Sequence, residues 1–286
     1  MKIVIRKKRK TEMYKYPLGE RFKIPREGKK SVDVLLYRPK DDATALPVLF
    51  NIHGGAWVGC DASQMDSFCL EMAEKCNAFI VNINYTKLDI KPFPYPQEEI
   101  YDTVLYFKKN AQLYGVDPAK FALIGFSAGG HLAAATTLIL KDRGVDVSAQ
   151  VLCYPFLDFT NLGDLVGKSG AIMDEFFFPN GISKTDPYVS PGLADENILK
   201  GIAPAIFVVC GNDPLTEQAR AYQKKLELAY VQVNFQLYDK ALHGFLEVNH
   251  KEYPDQEAKN PEQEKMAKEA EDYIVARLQY FWNDKR

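Results

Sequence analysis

Short apolar runs recur along this chain, and helical patterns separate most of them. Runs of this length that are bounded by Gly, Pro, Asn or Asp predict β-strands. The predicted strands are residues 32–37, 48–52, 79–84, 121–126, 149–154, 205–210 and 231–238. Strands that alternate with helices argue for stacked βα units over a mostly parallel sheet.

Apolar residues at helical spacing fill the segments between these runs. Residues 63–75, 97–114 and 261–282 follow this pattern, in which side chains three or four positions apart form one face. We expect Asn260 to cap the last helix and Gln263 to reach back to it in a capping box. The sequence thus predicts an α/β fold with helices on both faces of the sheet, built as a single domain over residues 1–286.

One connection is too long for an ordinary loop between a strand and a helix. Residues 155–204 separate two predicted strands and are interrupted by Gly and Pro. Long connections are commonly lids or binding segments, so we expect an insertion that caps the site. Within it, Phe176 and Phe177 are candidates for binding substrate. Packing of the same aromatic run onto the core is an equal alternative, compatible with the first.

Charge narrows the choice of partner. The chain carries 36 basic and 38 acidic side chains, for a formal net charge of -2. It therefore lacks the global basic field that supports nucleic-acid binding, and a small molecule is the expected partner. The basic run at residues 6–10 is interpreted as a solvated arm rather than an anion-binding patch. Whether copies of the chain form a homo-oligomer stays open.

The cysteines and the amino terminus indicate the cellular compartment of the protein. Five cysteines without paired zinc spacing lie mostly in apolar stretches, where free Cys behaves as a small hydrophobe. The amino terminus shows no apolar signal region, and no segment approaches the roughly 18 apolar residues of a membrane span. We expect a cytoplasmic protein in a reducing environment, without membrane contact.

The most informative motif is Gly125-Phe126-Ser127-Ala128-Gly129, between a predicted strand and a helix-competent run. Alone it is a weak signal, but a strand before it and a helix after it are the context of a nucleophile elbow. Glycines are needed because the turn at the serine is tight. Ser127 would then stand at a helix amino terminus, where backbone N–H groups favour a developing oxyanion.

A serine nucleophile needs a base and an orienting carboxylate. In the chain order Ser, acid, His, the base is His243 or His250, and His243 is preferred because it follows the last strand. His250 is interpreted as a satisfied surface histidine, and His131 as a local packing or hydrogen-bonding residue. Asp213 is the preferred acid. The rivals are Asp158, which opens the insertion, and Asp239, close to His243 on the same strand.

A glycine-rich turn supplies the expected oxyanion hole. His53-Gly54-Gly55-Ala56-Trp57 directly follows the predicted strand 48–52. Such a turn can direct backbone N–H groups at the developing charge, and Ala128 adds another. Trp57 is a further candidate for binding substrate.

These motifs together resemble the hormone-sensitive-lipase-like family of α/β-hydrolase esterases. The family pattern HGGGx, GxSxGG, Asp-Pro-Leu and His-Gly-Phe is matched by residues 53–57, 125–130, 213–215 and 243–245. The resemblance implies an α/β-hydrolase fold and a carboxylic-ester hydrolase with Ser127, Asp213 and His243 as its triad. It also implies an oxyanion hole formed by Gly55, Ala56 and Ala128, and no metal or organic cofactor.

One departure from the family pattern concerns Ala56, where glycine is usual. Its N–H survives, but its methyl group borders the hole. The short insertion with its single aromatic cluster at residues 176–178 predicts a preference for short acyl groups, from acetyl to butyryl. Small-capped relatives act on acetylated carbohydrates, so the resemblance keeps sugar esters open. The alternatives are an amidase or peptidase on the same fold, separable by comparing ester with amide turnover, and a non-catalytic ligand-binding homologue, which would not react with a fluorophosphonate.

Overall fold

One eight-stranded sheet organises the part of the chain that the computed structural model describes, residues 17–41, 44–163, 177–250 and 259–283. In space the strands follow the order β1-β2-β4-β3-β5-β6-β7-β8. Their bounds are β1 Glu20–Ile24, β2 Val32–Tyr37, β3 Leu46–Ile52, β4 Phe79–Asn84, β5 Val116–Phe126, β6 Ala149–Cys153, β7 Ala205–Asn212 and β8 Val233–Leu242.

Strand direction decides where the loops meet. β1 is antiparallel to β2 and β2 to β4, whereas every pair from β4 through β3 to β8 is parallel. Parallel strands end at one edge of a sheet, so the loops after β3, β5, β6, β7 and β8 gather there. The predicted α/β fold with a mostly parallel sheet is confirmed.

Helices cover both faces of this sheet. They are α1 Asp66–Cys76, α2 Tyr95–Lys109, α3 Ala111–Tyr114, α4 Ala128–Asp142, α5 Glu196–Leu199, α6 Thr216–Leu228, α7 Phe245–Val248 and α8 Pro261–Asn283. Side chains of α2, α4 and α6 share one apolar core with the sheet, and those of α1 and α8 share the other. The central strands are buried on both faces, which explains their nearly continuous apolarity.

One of the two predictions for the start of the last helix, α8, is wrong. Asn260 caps it as predicted, because its Oδ1 accepts the Glu262 N–H at 2.9 Å. Gln263, however, does not complete a capping box. Its side chain accepts the Leu242 N–H at 2.9 Å and donates to the Lys240 carbonyl at 2.9 Å. The glutamine therefore ties α8 to the end of β8, close to the histidine loop.

The long connection between β6 and β7 is described over residues 155–163 and 177–204. It consists of short helical turns at Phe159–Asn161, Pro179–Gly181 and Pro191–Leu193, followed by α5. Phe176, one of the predicted substrate contacts, lies outside the described residues. None of the helices that the structure describes has the length and apolarity that crossing a membrane requires.

Candidate active site

Ser127 occupies the turn between β5 and α4. Its backbone has φ 55° and ψ -115°, a conformation that a residue with a side chain rarely adopts. A Cβ at Gly125 would stand 2.1 Å from the Gly129 carbonyl oxygen, and a Cβ at Gly129 would stand 2.0 Å from the Ile52 carbonyl oxygen. Both glycines are thus required by close backbone contacts, as the elbow motif predicts.

Three side chains from three loops are joined by hydrogen bonds in the order Ser127, His243, Asp213. His243 Nε2 lies 2.8 Å from Ser127 Oγ, and His243 Nδ1 lies 2.7 Å from Asp213 Oδ2. With its proton on Nδ1, the neutral ring donates to Asp213 and accepts from the serine hydroxyl. The structure brings the predicted residues together at the lengths that proton transfer needs.

Asp213 is fixed more tightly than His243. Its side chain is 1% exposed against 40% for the histidine, and its second oxygen accepts the Leu215 N–H at 2.9 Å. Burial lowers the pKa of His243, but the hydrogen bond and charge of Asp213, with the charge of Glu247, outweigh it. The net pKa of His243 is raised above its ordinary value.

The rival residues lie in other structural settings. Asp158 Oδ1 accepts the Thr160 N–H at 2.8 Å and so caps a helical turn, and Asp239 is exposed on β8. His250 is not the surface histidine that we expected, because it is buried and its Nε2 lies 3.2 Å from Glu271 Oε1.

His131 is a local hydrogen-bonding residue, as predicted. It accepts from Trp57 Nε1 at 3.1 Å, and its Nε2 donates to the Val189 carbonyl at 2.7 Å. Burial lowers its pKa to about 4, so it is neutral near pH 7.

The turn after β3 explains why glycine is usual at position 56. Gly55, Ala56 and Trp57 all have positive φ, at 107°, 49° and 61°. This region favours glycine, and Ala56 occupies it with a methyl group. The Leu88 N–H supports the turn by donating to the Trp57 carbonyl at 3.1 Å. Ala56 and Ala128 line one cavity with Ser127, whereas Gly55 is not among the described residues that line it.

A cavity of about 240 Å³ opens beside the serine. Its walls are mostly apolar and comprise Ala56, Trp57, Ala128, Phe156, Leu162, Pro214 and Leu215, together with Ser127, Asp213 and His243. Trp57 therefore stands where a substrate contact was predicted. Its ring also packs against Phe156, with 5.0 Å between centroids.

The structure corrects the prediction for Phe177. Its side chain is fully buried, and its ring lies behind Trp57 with 5.4 Å between centroids. Phe93 and Phe159 surround it on other sides. Phe177 thus belongs to an aromatic core that supports Trp57, which is the alternative that the sequence left open for this run.

Several cavity residues were not predicted from the sequence. Pro214 and Leu215 belong to the Asp-Pro-Leu motif, and Phe156 follows β6, so their positions after strands were a usable signal. Glu247, which lies four residues after His243 and is not among the residues that line the cavity, was not predicted either. Leu162 belongs to the long connection, where the pattern offered no comparable signal.

Fold and geometry together place a serine, a histidine and a buried aspartate in hydrogen-bonding contact at the carboxyl ends of parallel strands. A family model described as alpha/beta hydrolase fold matches residues 49–247, which is more than half of the chain. This chain belongs to that family, and the resemblance to hormone-sensitive-lipase-like esterases is confirmed.

Relatives by sequence come from distant sources. A protein of Acanthamoeba polyphaga mimivirus that bears the name of an alpha/beta hydrolase is 29% identical over 208 residues, 69% of this chain and 60% of that protein. The carboxylic ester hydrolase LipN of Mycobacterium tuberculosis is 29% identical over 227 residues, 73% of this chain and 60% of LipN. The chain therefore matches about 60% of the length of these two relatives.

A solved structure extends the likeness over nearly the whole chain. The esterase of Pyrobaculum calidifontis superposes with a TM-score of 0.79 at 27% identity. The superposition covers 98% of this chain and 90% of that esterase.

The crowded elbow gives a stability prediction. Gly129→Ala should lower the free energy of unfolding by at least about 2 kcal/mol, because its methyl group would collide with two backbone carbonyls. Urea denaturation measures the change. Gly163→Ala is the control, since no atom of the described residues lies within 4 Å of a Cβ there, and its effect should stay below about 1 kcal/mol. Equal effects of the two substitutions would contradict the packing account.

Proposed function

We propose that this protein is a serine carboxylic-ester hydrolase in which Ser127, His243 and Asp213 form the catalytic triad. The observation that carries the proposal is the continuous line of hydrogen bonds from Asp213 through His243 to Ser127, at 2.7 Å and 2.8 Å. LipN and the Pyrobaculum protein both bear the names of ester hydrolases, which supports the same reaction class.

In the first half-reaction, Ser127 Oγ attacks the ester carbonyl carbon while its proton passes to His243 Nε2. Asp213 stabilises the imidazolium through the Nδ1 hydrogen bond. The backbone N–H groups of Gly55, Ala56 and Ala128 stabilise the oxyanion. When the tetrahedral intermediate collapses, the C–O bond to the alcohol breaks and the imidazolium returns the proton to the leaving oxygen.

In the second half-reaction, water attacks the acyl-serine carbonyl and gives its proton to the same imidazole nitrogen. Collapse of the second intermediate releases the carboxylic acid and returns the proton to Ser127. Each half-reaction uses the same groups, so no metal or organic cofactor is needed.

The substrate that we propose is a small-molecule ester with a short acyl group, from acetyl to butyryl. The small apolar cavity beside Ser127 supports this choice, because an acyl chain gains binding energy only for methylene groups that it buries. Residues 155–204 are proposed as a small cap, since Phe156 and Leu162 from that segment line the cavity. Acetylated carbohydrates are one class of ester within this range.

Triad substitutions test the reaction. Ser127→Ala should fold normally but lose at least about 10³-fold in kcat, because the covalent route is removed. His243→Ala should be equally damaging, since the two residues act as a unit. Both are measured with p-nitrophenyl acetate. His250→Gln is the matched control and should keep most of its turnover despite lower stability. If Ser127→Ala retained the wild-type kcat, the assignment of Ser127 as the nucleophile would be wrong.

Acyl-chain preference tests the substrate class. Each methylene that finds a groove contributes about 0.8 kcal/mol, so a small cavity gives long chains no such gain. We expect kcat/KM for p-nitrophenyl acetate and butyrate to exceed that for the dodecanoate and palmitate esters, without activation at a lipid interface. If palmitate equals or exceeds butyrate, the short-chain proposal fails and a lipase describes the protein better.

A further inference from the structure

A buried carboxylate joins the loops on either side of the triad. Glu247 lies in α7, four residues after His243. Its Oε2 accepts the Tyr154 hydroxyl at 3.1 Å, and its Oε1 packs against Gly54, whose backbone N–H acts to lower the pKa of the carboxyl group. The loops after β3, β6 and β8 are thus connected through one side chain.

The contact explains why residue 54 is glycine. Its φ is not in the left-handed region, so conformation does not require glycine there. A Cβ at this position, however, would stand 2.6 Å from Glu247 Oε1 and 3.1 Å from the Phe126 carbonyl oxygen. Gly54 is the first glycine of the turn at residues 53–57, called the oxyanion turn below, and it makes room for this carboxylate and for the elbow behind it.

Tyr154 connects the same carboxylate to the catalytic ring. Its ring packs against the His243 imidazole, with 5.1 Å between centroids and 64° between planes. Tyr154 also has a positive φ of 36°, and its own N–H donates to the Val208 carbonyl at 2.7 Å. Glu247 thus contacts the ring that packs on His243 and the turn that carries the oxyanion amides.

The charge of Glu247 also acts on His243. Burial raises the pKa of Glu247, although His243, Tyr154, the Gly54 N–H and His250 act to lower it. In return, the carboxylate charge is one of the causes that raise the pKa of His243. The titratable groups that face Glu247 are His243, His250, Tyr154, Tyr85, Cys153 and Cys210.

We propose that Glu247 is a positioning residue for ester hydrolysis, which holds the oxyanion turn and the Tyr154 ring in register with the catalytic histidine. The proposal rests on the function proposed above. The carboxylate does not touch the reacting atoms. It acts through Gly54 on the turn and through its field on the imidazolium that forms when the serine loses its proton.

Two substitutions separate the effect of the negative charge of Glu247 from the effect of its side-chain length. Glu247→Gln keeps the length but removes the charge, so the acid limb of kcat/KM should move about half a pH unit or more to lower pH. With less support for the imidazolium, kcat at the alkaline plateau should fall at least about fivefold. Glu247→Asp keeps the charge but shortens the arm. Its acid limb should stay in place while kcat falls, because the Gly54 contact is lost.

The measurement is a pH profile of p-nitrophenyl acetate hydrolysis from about pH 5 to about pH 9, with thermal unfolding of each variant. Glu271→Gln is the control, because Glu271 is also buried and contacts His250 and Lys75 instead of the triad loops. It should lose stability and leave the acid limb in place. If Glu247→Gln does not fold, Glu247→Asp tests the proposal: its kcat should fall while the midpoint of its acid limb stays at the wild-type pH.

Two results would overturn the proposal. One is a Glu247→Gln profile that superposes on wild type in both midpoint and plateau. The other is a Glu271→Gln profile with the same shift, which would indicate a general effect of lost buried charge. Failure of the proposed function looks different, because the wild-type protein itself would then show no turnover that depends on Ser127.

Discussion

Ser127 is held in a conformation that few residues adopt by backbone packed closely on both sides of it. Gly125 lies against the start of α4, and Gly129 lies against the end of β3. This crowding fixes the distance from the serine to the oxyanion turn, because that turn begins directly after Ile52. The strained elbow therefore fixes the position of the serine, and the other loops of the site must be placed relative to that position.

Buried polar contacts hold the other loops of the site in place. Asp213 accepts from both His243 and the Leu215 N–H, which leaves a buried carboxylate well paired. The Leu88 N–H supports the oxyanion turn at the Trp57 carbonyl, and the Trp57 indole is fixed in turn by His131. Such hydrogen bonds from several strand ends give a preorganised site, which lowers the reorganisation needed during reaction.

Much of this arrangement could be predicted because short motifs determine it. The glycines around Ser127 are required by local sterics, and strand, turn and helix follow in sequence, so the elbow and the order of the triad were accessible. Contacts between distant segments were not. The aromatic run gave no sign that Phe177 would lie behind Trp57, and Gln263 satisfied a helix-cap pattern while its actual partners lie on β8. Burial of His250 depends on α8 packing over it, which its charged neighbours in sequence did not indicate.

The proposed mechanism requires that Ser127 become covalently acylated during turnover. This is tested most directly by mixing the protein with p-nitrophenyl acetate, quenching in acid during the first turnover, and measuring the mass of the intact protein and its peptides. We expect an added acetyl group on the peptide that contains Ser127, formed with release of one equivalent of p-nitrophenol. Steady hydrolysis without any acylated serine, or acylation of a different residue, would contradict the mechanism.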